Sequence, residues 1–520
     1  MKKSAGIAVG LIVAVGALST AGAWYTGEQL DGVLRTSVEQ ANQQMKTALV
    51  GFDGSVTLEL VSLEKSLFTS TAHYRLKADS ATFGDEYRNV ELLFVDHIEH
   101  GPLPLSRLKA GKLMPVMATS NYALQPNAFT EKWFAASKGE SPLKGQVSLG
   151  YDRATSGTVE LLPLDVALDE SSKLTFSGLI LDVDASAEAE KIRIGGNMDS
   201  LVLSVNAENQ EPVLMELRGL SLDSDRFKGT SGFYLGRNDV KLASAEVKVG
   251  ERLPLLFKDF SQSDTLEETG SNLAGRVVYD IGMISYNGKD IGGAQMIWGL
   301  KNLDIPATQS LARLYESKLQ SLQAANDDDA AAVPELNDAE KAQLLADVNQ
   351  LLAAKPQLAL EKLSFKTANG ESHFALAVDF NKPESLELPA PLLAQQLIGQ
   401  LSARLVVSKP MISDVVSVQA AFDGQADQEA IAQQASMMTE MASGMALSTQ
   451  LARLEGNDIV SSLQYANNQV DFNGQKMTVE EFVGMVMAMA GGMGGGAADE
   501  AGAEPELDLE GLSEDSVELQ

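Results

Sequence analysis

The chain opens on an uncharged run from Ser4 to Thr26, whose centre, Ile7 to Leu18, holds only Gly, Ala, Val, Leu and Ile. The pattern then turns helical. Leu30, Val33, Leu34, Val38, Ala41 and Met45 recur on one face and predict a helix over Gln29–Val50. At Ser55 the period drops to two: Val56, Leu58 and Leu60 alternate with Thr57 and Glu59, the signature of a half-buried strand through Leu63. Strand-like segments then dominate to about residue 300: Ala72–Ala78, Val90–Ile98, Gly145–Tyr151, Gly157–Leu162, Lys173–Val183, Lys191–Met198, Leu201–Ala207, Val213–Leu222, Thr230–Leu235, Val240–Val249 and Gly275–Ile284. Gly, Asn, Asp and Ser punctuate them, and intervals of roughly 10 to 15 residues suggest an antiparallel meander.

The character changes near Pro306. Leucines at helical spacing predict helices over Ser310–Leu322 and Asn337–Leu352, joined by a loop carrying Asp327, Asp328 and Asp329. Strands return at Leu360–Phe365, His373–Phe380, Ser402–Ser408 and Val415–Phe422, with a helix at Pro391–Leu401. A second helix, Gln425–Ala446, carries Met437, Met438, Met441 and Met445 on or near one stripe, read as core packing on a sheet. Asp458–Tyr465 and Val470–Phe472 follow, with an Asn473-Gly474 hairpin turn. A short helix ends near Met489, with Thr478 as N-cap and Glu481 at capping-box spacing. The fold class is thus α+β: an N-terminal transmembrane helix, β-rich antiparallel meander sheets, a helical insertion and C-terminal helices. The segments are 1–27 anchor, 28–50 stalk helix, 51–300 β-rich domain, 301–355 helical insertion, 356–490 C-terminal α+β domain and 491–520 tail.

A bilayer core of ~30 Å needs ~20 apolar residues in a helix, and the first run just reaches that length. Lys2 and Lys3 precede it and set an N-in orientation, since positive charge stays on the cytoplasmic side. Ile7, Leu11 and Val15 lie within the apolar centre, and Trp24 and Tyr25 fall at the outer interface that amphipathic aromatics prefer. The competing reading is a signal peptide cleaved after Ala21-Gly22-Ala23. Both readings export the rest of the chain.

At 520 residues, with 44% hydrophobic and 21% charged positions, the remainder is long enough for several folded units. The acids outnumber the bases 71 to 40, for a net charge of −31, which discounts nucleic acid as a partner. The absence of cysteine excludes thiolate nucleophiles, cysteine-ligated metals and disulfides. Asp499–Gln520 is acidic without Lys or Arg, follows the glycine-rich Gly491–Gly496, and is expected to be disordered.

No catalytic, cofactor or metal residue is nominated. Asp96-His97-Ile98-Glu99-His100 is the densest cluster of potential ligands. On a strand, His97 and His100 face opposite sides because their separation is odd, so the cluster is expected to be a strand end and turn. Asp327–Asp329 lacks the ligand spacing of a calcium loop. No nucleophile elbow or phosphate-binding glycine loop sits between a strand and a helix.

Several segments are familiar. Gly22-Ala23-Trp24-Tyr25-Thr26-Gly27, then His100-Gly101-Pro102-Leu103-Pro104-Leu105 and Leu113-Met114-Pro115-Val116-Met117-Ala118, resemble the YdgA-like family of Gram-negative envelope proteins. So do Ser462-Leu463-Gln464-Tyr465-Ala466-Asn467, Asn473-Gly474-Gln475-Lys476-Met477 and Phe482-Val483-Gly484-Met485. This is a domain-of-unknown-function family, so the resemblance implies location rather than mechanism: a bacterial inner-membrane anchor, a periplasmic body and a homodimer. It transfers no catalytic residue.

The expected role is non-enzymatic binding or scaffolding in the cell envelope, with a lipid, an amphiphile or an envelope protein as partner. The more specific version is lipid handling, by analogy with meander sheets that curl into grooves in AsmA-like envelope proteins. A periplasmic hydrolase acting on envelope polymer and an assembly or adhesion partner using the acidic tail are the alternatives.

Overall fold

The computed structural model describes residues 30–48, 55–79, 89–169, 171–206, 211–324, 336–422, 425 and 427–493. The expected anchor, the Asp327–Asp329 loop and the acidic tail lie outside the described residues. Among those described, no helix is long and apolar enough to cross a membrane.

One antiparallel sheet of 22 strands organises the described chain. Its first part comprises β1 (Ser55–Lys65), β2 (Thr69–Asp79), β3 (Asn89–His100), β4 (Ala118–Gln125), β5 (Leu143–Leu149), β6 (Thr155–Leu161), β7 (Leu164–Ala167), β8 (Lys173–Phe176) and β9 (Leu179–Ala185). Six long strands follow: β10 (Lys191–Val205), β11 (Val213–Lys228), β12 (Tyr234–Val249), β13 (Leu255–Thr269), β14 (Asn272–Tyr286) and β15 (Lys289–Asp304). The last part has β16 (Gln357–Lys366), β17 (Glu371–Phe380), β18 (Ile398–Ser408), β19 (Arg453–Glu455), β20 (Asp458–Ala466), β21 (Gln469–Phe472) and β22 (Gln475–Thr478). Sequential neighbours pair almost throughout, as a meander requires. The helices Ile305–Ala324 and Asp338–Ala353 interrupt the chain but not the sheet, since β15 pairs directly with β16.

The most extensive covering lies at one end. The Leu30–Ala48 helix buries Leu30, Leu34, Ala41 and Met45 against β1 to β6, where Leu58, Tyr74, Phe94, Tyr122 and Val159 complete a closed core. Gly145 permits this packing: a Cβ there would meet the Tyr122 hydroxyl at 2.1 Å. The edge strand β1 is protected by the same helix. Asn42 donates to the Leu58 carbonyl at 2.9 Å and accepts from the Leu58 N–H at 2.7 Å, occupying backbone groups that an unpaired edge leaves open. Asn42→Ala is expected to lower stability by about 1–3 kcal/mol, as a loss of denaturation midpoint together with faster exchange of the Leu58 amide.

From β10 to β15 the sheet is thinly covered. Across β10 to β15 the buried hydrophobic residues are Met198, Leu235 and Leu273. This explains where the predicted elements depart from the structure. Lys191–Met198 and Leu201–Ala207 are parts of the single strand β10, and Thr230–Leu235 and Val240–Val249 contribute to the single strand β12. Asp199 and Arg237-Asn238-Asp239 resemble turns only because both faces of these strands accept polar residues. Conversely, Lys173–Val183 is divided at Ser177-Gly178, where Gly178 adopts φ 97°.

Three further expectations are corrected. Val415–Phe422 belongs to the Lys409–Phe422 helix, which packs against a second helix, Gln428–Ser448, and buries Ala420 while Val415 is exposed. The methionine stripe of that second helix is exposed, whereas Ile431, Ala435, Thr439 and Ser443 are its buried positions. The predicted Pro391–Leu401 helix stops at Leu397, and residues 398–401 open β18. The Thr478–Glu481 capping box forms as expected, with the Thr478 N–H donating to Glu481 Oε2 at 2.8 Å and the Glu481 N–H to Thr478 Oγ1 at 3.2 Å.

Candidate functional site

In an antiparallel sheet, directly paired residues project from the same face, so the registers trace rows across it. One row begins in the closed core: Leu63, Ala72, Asp96, Tyr122, Gly145, Val159 and Leu181 are successive partners. It continues through Gly196, Leu222, Val240, Gln262 and Tyr279. Met296, Leu363, Phe374 and Leu405 then carry it to β18. Only Asp96 and Gln262 in this row are polar.

Flanking rows on the same face repeat the pattern. Met198, Leu220, Leu242, Phe260, Ile281, Ala294 and Phe365 form one. Val277, Trp298, Leu360, Leu376, Ala403 and Leu463 form another. On the reverse face, by contrast, Asn197, Ser221, Lys241, Ser261, Asp280, Gln295, Ser364 and His373 make an all-polar row. The reverse face has its own apolar patch near the other strand ends, where Leu201, Leu217, Ala245, Phe257 and Ile284 align. There Tyr286 meets Phe422 edge-on at 4.4 Å.

The large core beneath the Leu30–Ala48 helix ends at Leu222, but the apolar rows do not, and among their later members Leu360 is buried again. Tyr279, Trp298, Leu300, Leu358, Leu363 and Leu405 lie beyond it with 37–46% of their surface exposed. Large side chains of this kind on one continuous face are the mark of an interaction surface rather than of scattered surface hydrophobics. Where the covered and uncovered parts meet, a polar group interrupts the face. Arg226 pairs with Asp264, whose other oxygen accepts from Asn238 at 3.2 Å and Gln262 at 3.0 Å.

Asp96 sits in the covered part of the same row and is fully buried. Ser120 Oγ donates to Asp96 Oδ1 at 2.7 Å, while Oδ2 has no hydrogen-bond partner. Burial pushes this carboxyl up to about 7, against the lowering effect of the Ser120 and Asn121 hydrogen bonds. The Tyr74 hydroxyl is raised well above its usual value by burial and then by the Asp96 charge.

The residues singled out from sequence fall elsewhere. Lys2, Lys3, Ile7, Leu11, Val15, Trp24 and Tyr25 lie outside the described residues. His100, Gly101 and Pro102 end β3, with a cis peptide between the latter two. His97 and His100 do face opposite ways: Nδ1 of His97 lies 3.3 Å from Thr71 Oγ1, and Nε2 of His100 lies 3.1 Å from Ser70 Oγ. Among the described residues, no group of three or more His, Asp and Glu is placed to hold a metal ion. Asn473 and Gly474 form the β21–β22 turn with φ of 53° and 88°, and Phe482 packs on Phe472 at 5.6 Å between ring centroids. Tyr465 lies on β20, paired with Leu401 on the apolar face. Sequence reasoning missed Trp298 and its neighbours, although the alternation Ala294, Met296, Trp298, Leu300 is visible in the chain.

Comparison with known proteins agrees with the breadth of the resemblance. The chain is 27% identical to Protein YdgA of Escherichia coli strain K12, over 92% of this chain and 96% of that protein. It is 23% identical to the uncharacterized protein YihF of the same organism, over 92% and 97% of the two chains. An uncharacterized protein of Haemophilus influenzae is 24% identical over 60% of this chain and 86% of its own length. No solved structure matches. Residues 1–480 match the family described as bacterial protein of unknown function, DUF945, and the chain belongs to that family.

Proposed function

We propose that this is an inner-membrane-anchored protein of the bacterial periplasm that binds lipid or another amphiphile along the uncovered apolar face. The role is binding and carriage rather than catalysis. The observation that supports it is the apolar row that runs on past Leu222, where the large core beneath the Leu30–Ala48 helix ends, to Leu405. A sheet face needed only for its own core has no reason to keep Trp298, Leu363 and Leu405 half in water. The all-polar reverse row gives the sheet the sidedness of a surface that meets an apolar ligand on one face and solvent on the other.

The N-terminal sequence supports the location. Lys2 and Lys3 before an uncharged run to Thr26 suit a single-pass, N-in anchor with the body outside. A homodimer accords with this reading, and the exposed methionine stripe of the Gln428–Ser448 helix suits such a contact.

Purification of the full chain in mild detergent, followed by mass spectrometry, is expected to recover co-purifying lipid. Leu363→Glu combined with Leu405→Glu places charges on β16 and β18, on either side of Phe374 of β17 in the row, and should reduce that lipid several-fold while the chain stays folded. Recovery of no lipid from the unmodified protein, or of equal lipid from the double variant, would contradict the reading.

A further inference from the structure

The ends of β1 to β4 carry a concentration of apolar side chains that the sheet face does not account for. Leu67 and Phe68 form the β1–β2 turn, and Leu103, Leu105, Leu113 and Met114 belong to the segment joining β3 to β4. Leu67, Phe68, Leu113 and Met114 are each at least 70% exposed, four of the five most exposed large hydrophobic side chains among the described residues.

These loops are built as one unit. The His100 N–H donates to the Phe68 carbonyl at 2.9 Å, the Gly101 N–H to Met117 O at 2.6 Å and the Val116 N–H to Pro102 O at 3.0 Å. Gly101 is required there, since a Cβ would meet Val116 O at 1.9 Å. Arg107 is buried and donates to Ser148 Oγ at 2.9 Å, while its other terminal nitrogen lies 3.4 Å from Met114 O. The backbone thus holds a fixed platform and turns its apolar side chains outward.

Around the platform exposed cations outnumber exposed acids, of which Glu64 beside Lys65 is one, whereas acids predominate in the chain. Lys65, Lys109 and Lys112 are exposed. No Asp or Glu occurs from His100 to Thr130, in a chain with 71 acids. The neighbouring Glu99 carboxylate is occupied by the Ser106 N–H at 2.9 Å and hydroxyl at 2.7 Å. Apolar side chains ringed by lysines fit the interface of a bilayer containing anionic lipid.

The platform also lies where the chain leaves the expected anchor. The Asp31 carboxyl, in the first turn of the Leu30–Ala48 helix, is lowered chiefly by its hydrogen bond from Arg35, and further by the charges of Arg35 and Lys65. Asn42 in the second half of the helix is bonded to Leu58 near the start of β1, and Leu30 shares the core with Leu63 near the strand's end. The helix therefore starts toward the β1–β2 turn. Thr26 closes the uncharged run four residues before Leu30. An extended chain covers ~3.5 Å per residue, so the two are at most ~14 Å apart.

We propose that this platform is a second membrane contact, in which Leu67, Phe68, Leu103, Leu105, Leu113 and Met114 enter the interface of the bilayer that holds the N-terminal segment. Lys65, Lys109 and Lys112 then face anionic headgroups. The location rests on the anchor reading above, and the contact rests on the platform itself.

The chain has no cysteine, so single labels are unambiguous. Met114→Cys and Phe68→Cys test the platform, and Leu253→Cys, in the exposed β12–β13 turn at the opposite strand ends, is the control. Each full-length variant would carry an environment-sensitive fluorophore and be reconstituted with vesicles of phosphatidylethanolamine and phosphatidylglycerol. The expected result is blue-shifted emission and quenching by shallow spin-labelled lipid at positions 114 and 68, and neither at 253. Lys65→Glu, Lys109→Glu and Lys112→Glu together should cut that quenching at least twofold on these vesicles and leave it unchanged on phosphatidylcholine. If the protein floats with vesicles but the labels at 114 and 68 are as open to aqueous quencher as the label at 253, the platform proposal fails and the anchor stands. Quenching at all three positions also overturns it, because contact is then not local. Failure to float removes both.

Discussion

Replacing Asp96 with asparagine is expected to abolish most of a fall in stability between about pH 4 and pH 7. In the unfolded chain this carboxyl loses its proton near 3.8, whereas in the fold it keeps it up to about 7. Between those values the native state holds one more proton than the unfolded state, so its stability decreases as pH rises. The contribution is fully present below about pH 4 and lost by passage through pH 7, an amplitude of about 4 kcal/mol. Asparagine keeps the shape and can still accept from Ser120 through its side-chain oxygen, but it carries no titrating proton. Denaturation midpoints of the two proteins should therefore converge at acid pH and separate toward neutrality, with Asp96→Asn the more stable at pH 7.5. Parallel profiles would show that Asp96 ionises freely in the fold.

The second large effect separates the covered part of the apolar face from the uncovered part. Leu34 has no exposed surface and seals the core beneath the Leu30–Ala48 helix. Leu34→Ala leaves a cavity that the hydrogen-bonded sheet beneath the helix cannot fully collapse into, and should cost about 2–5 kcal/mol. Leu363 is 46% exposed, so Leu363→Ala should cost under about 1.5 kcal/mol. Chemical denaturation measures both. Equal losses would mean that something buries the uncovered face in solution, and would point to self-association through it.

Most strands with one covered face are legible in the chain, β4 (Ala118–Gln125) being missed because Thr119-Ser120-Asn121 reads as a turn although Thr119 and Ser120 are buried. Val56, Leu58 and Leu60 alternate cleanly because the Leu30–Ala48 helix dries one side of β1 while water wets the other. The Asn473-Gly474 turn and the Thr478–Glu481 cap are equally local, since each needs only its own backbone. β13 escapes detection for the opposite reason. With water reaching both faces, Leu255–Thr269 carries Lys258, Asp259, Asp264, Glu267 and Glu268 inside a strand, and the period dissolves. Val415–Phe422 misleads because valines spaced for a strand also fit a helix whose partner lies later in the chain. The candidate site was not legible as a site. Its members, from Leu222 to Leu405, come from eight strands, and only the pairing registers bring them into line.

That register has a length. From Leu222 on β11 to Leu405 on β18 the row takes seven strand-to-strand steps. At ~4.8 Å per step the uncovered stretch measures ~34 Å along the row. An acyl chain reaches through half of a ~30 Å hydrocarbon core, or ~15 Å. On the proposed reading the stretch therefore accommodates two chain lengths end to end, and occupancy is a matter of stoichiometry. A diacyl lipid laid across the strands would fill the row, whereas a single-chain detergent would fill it only as a pair.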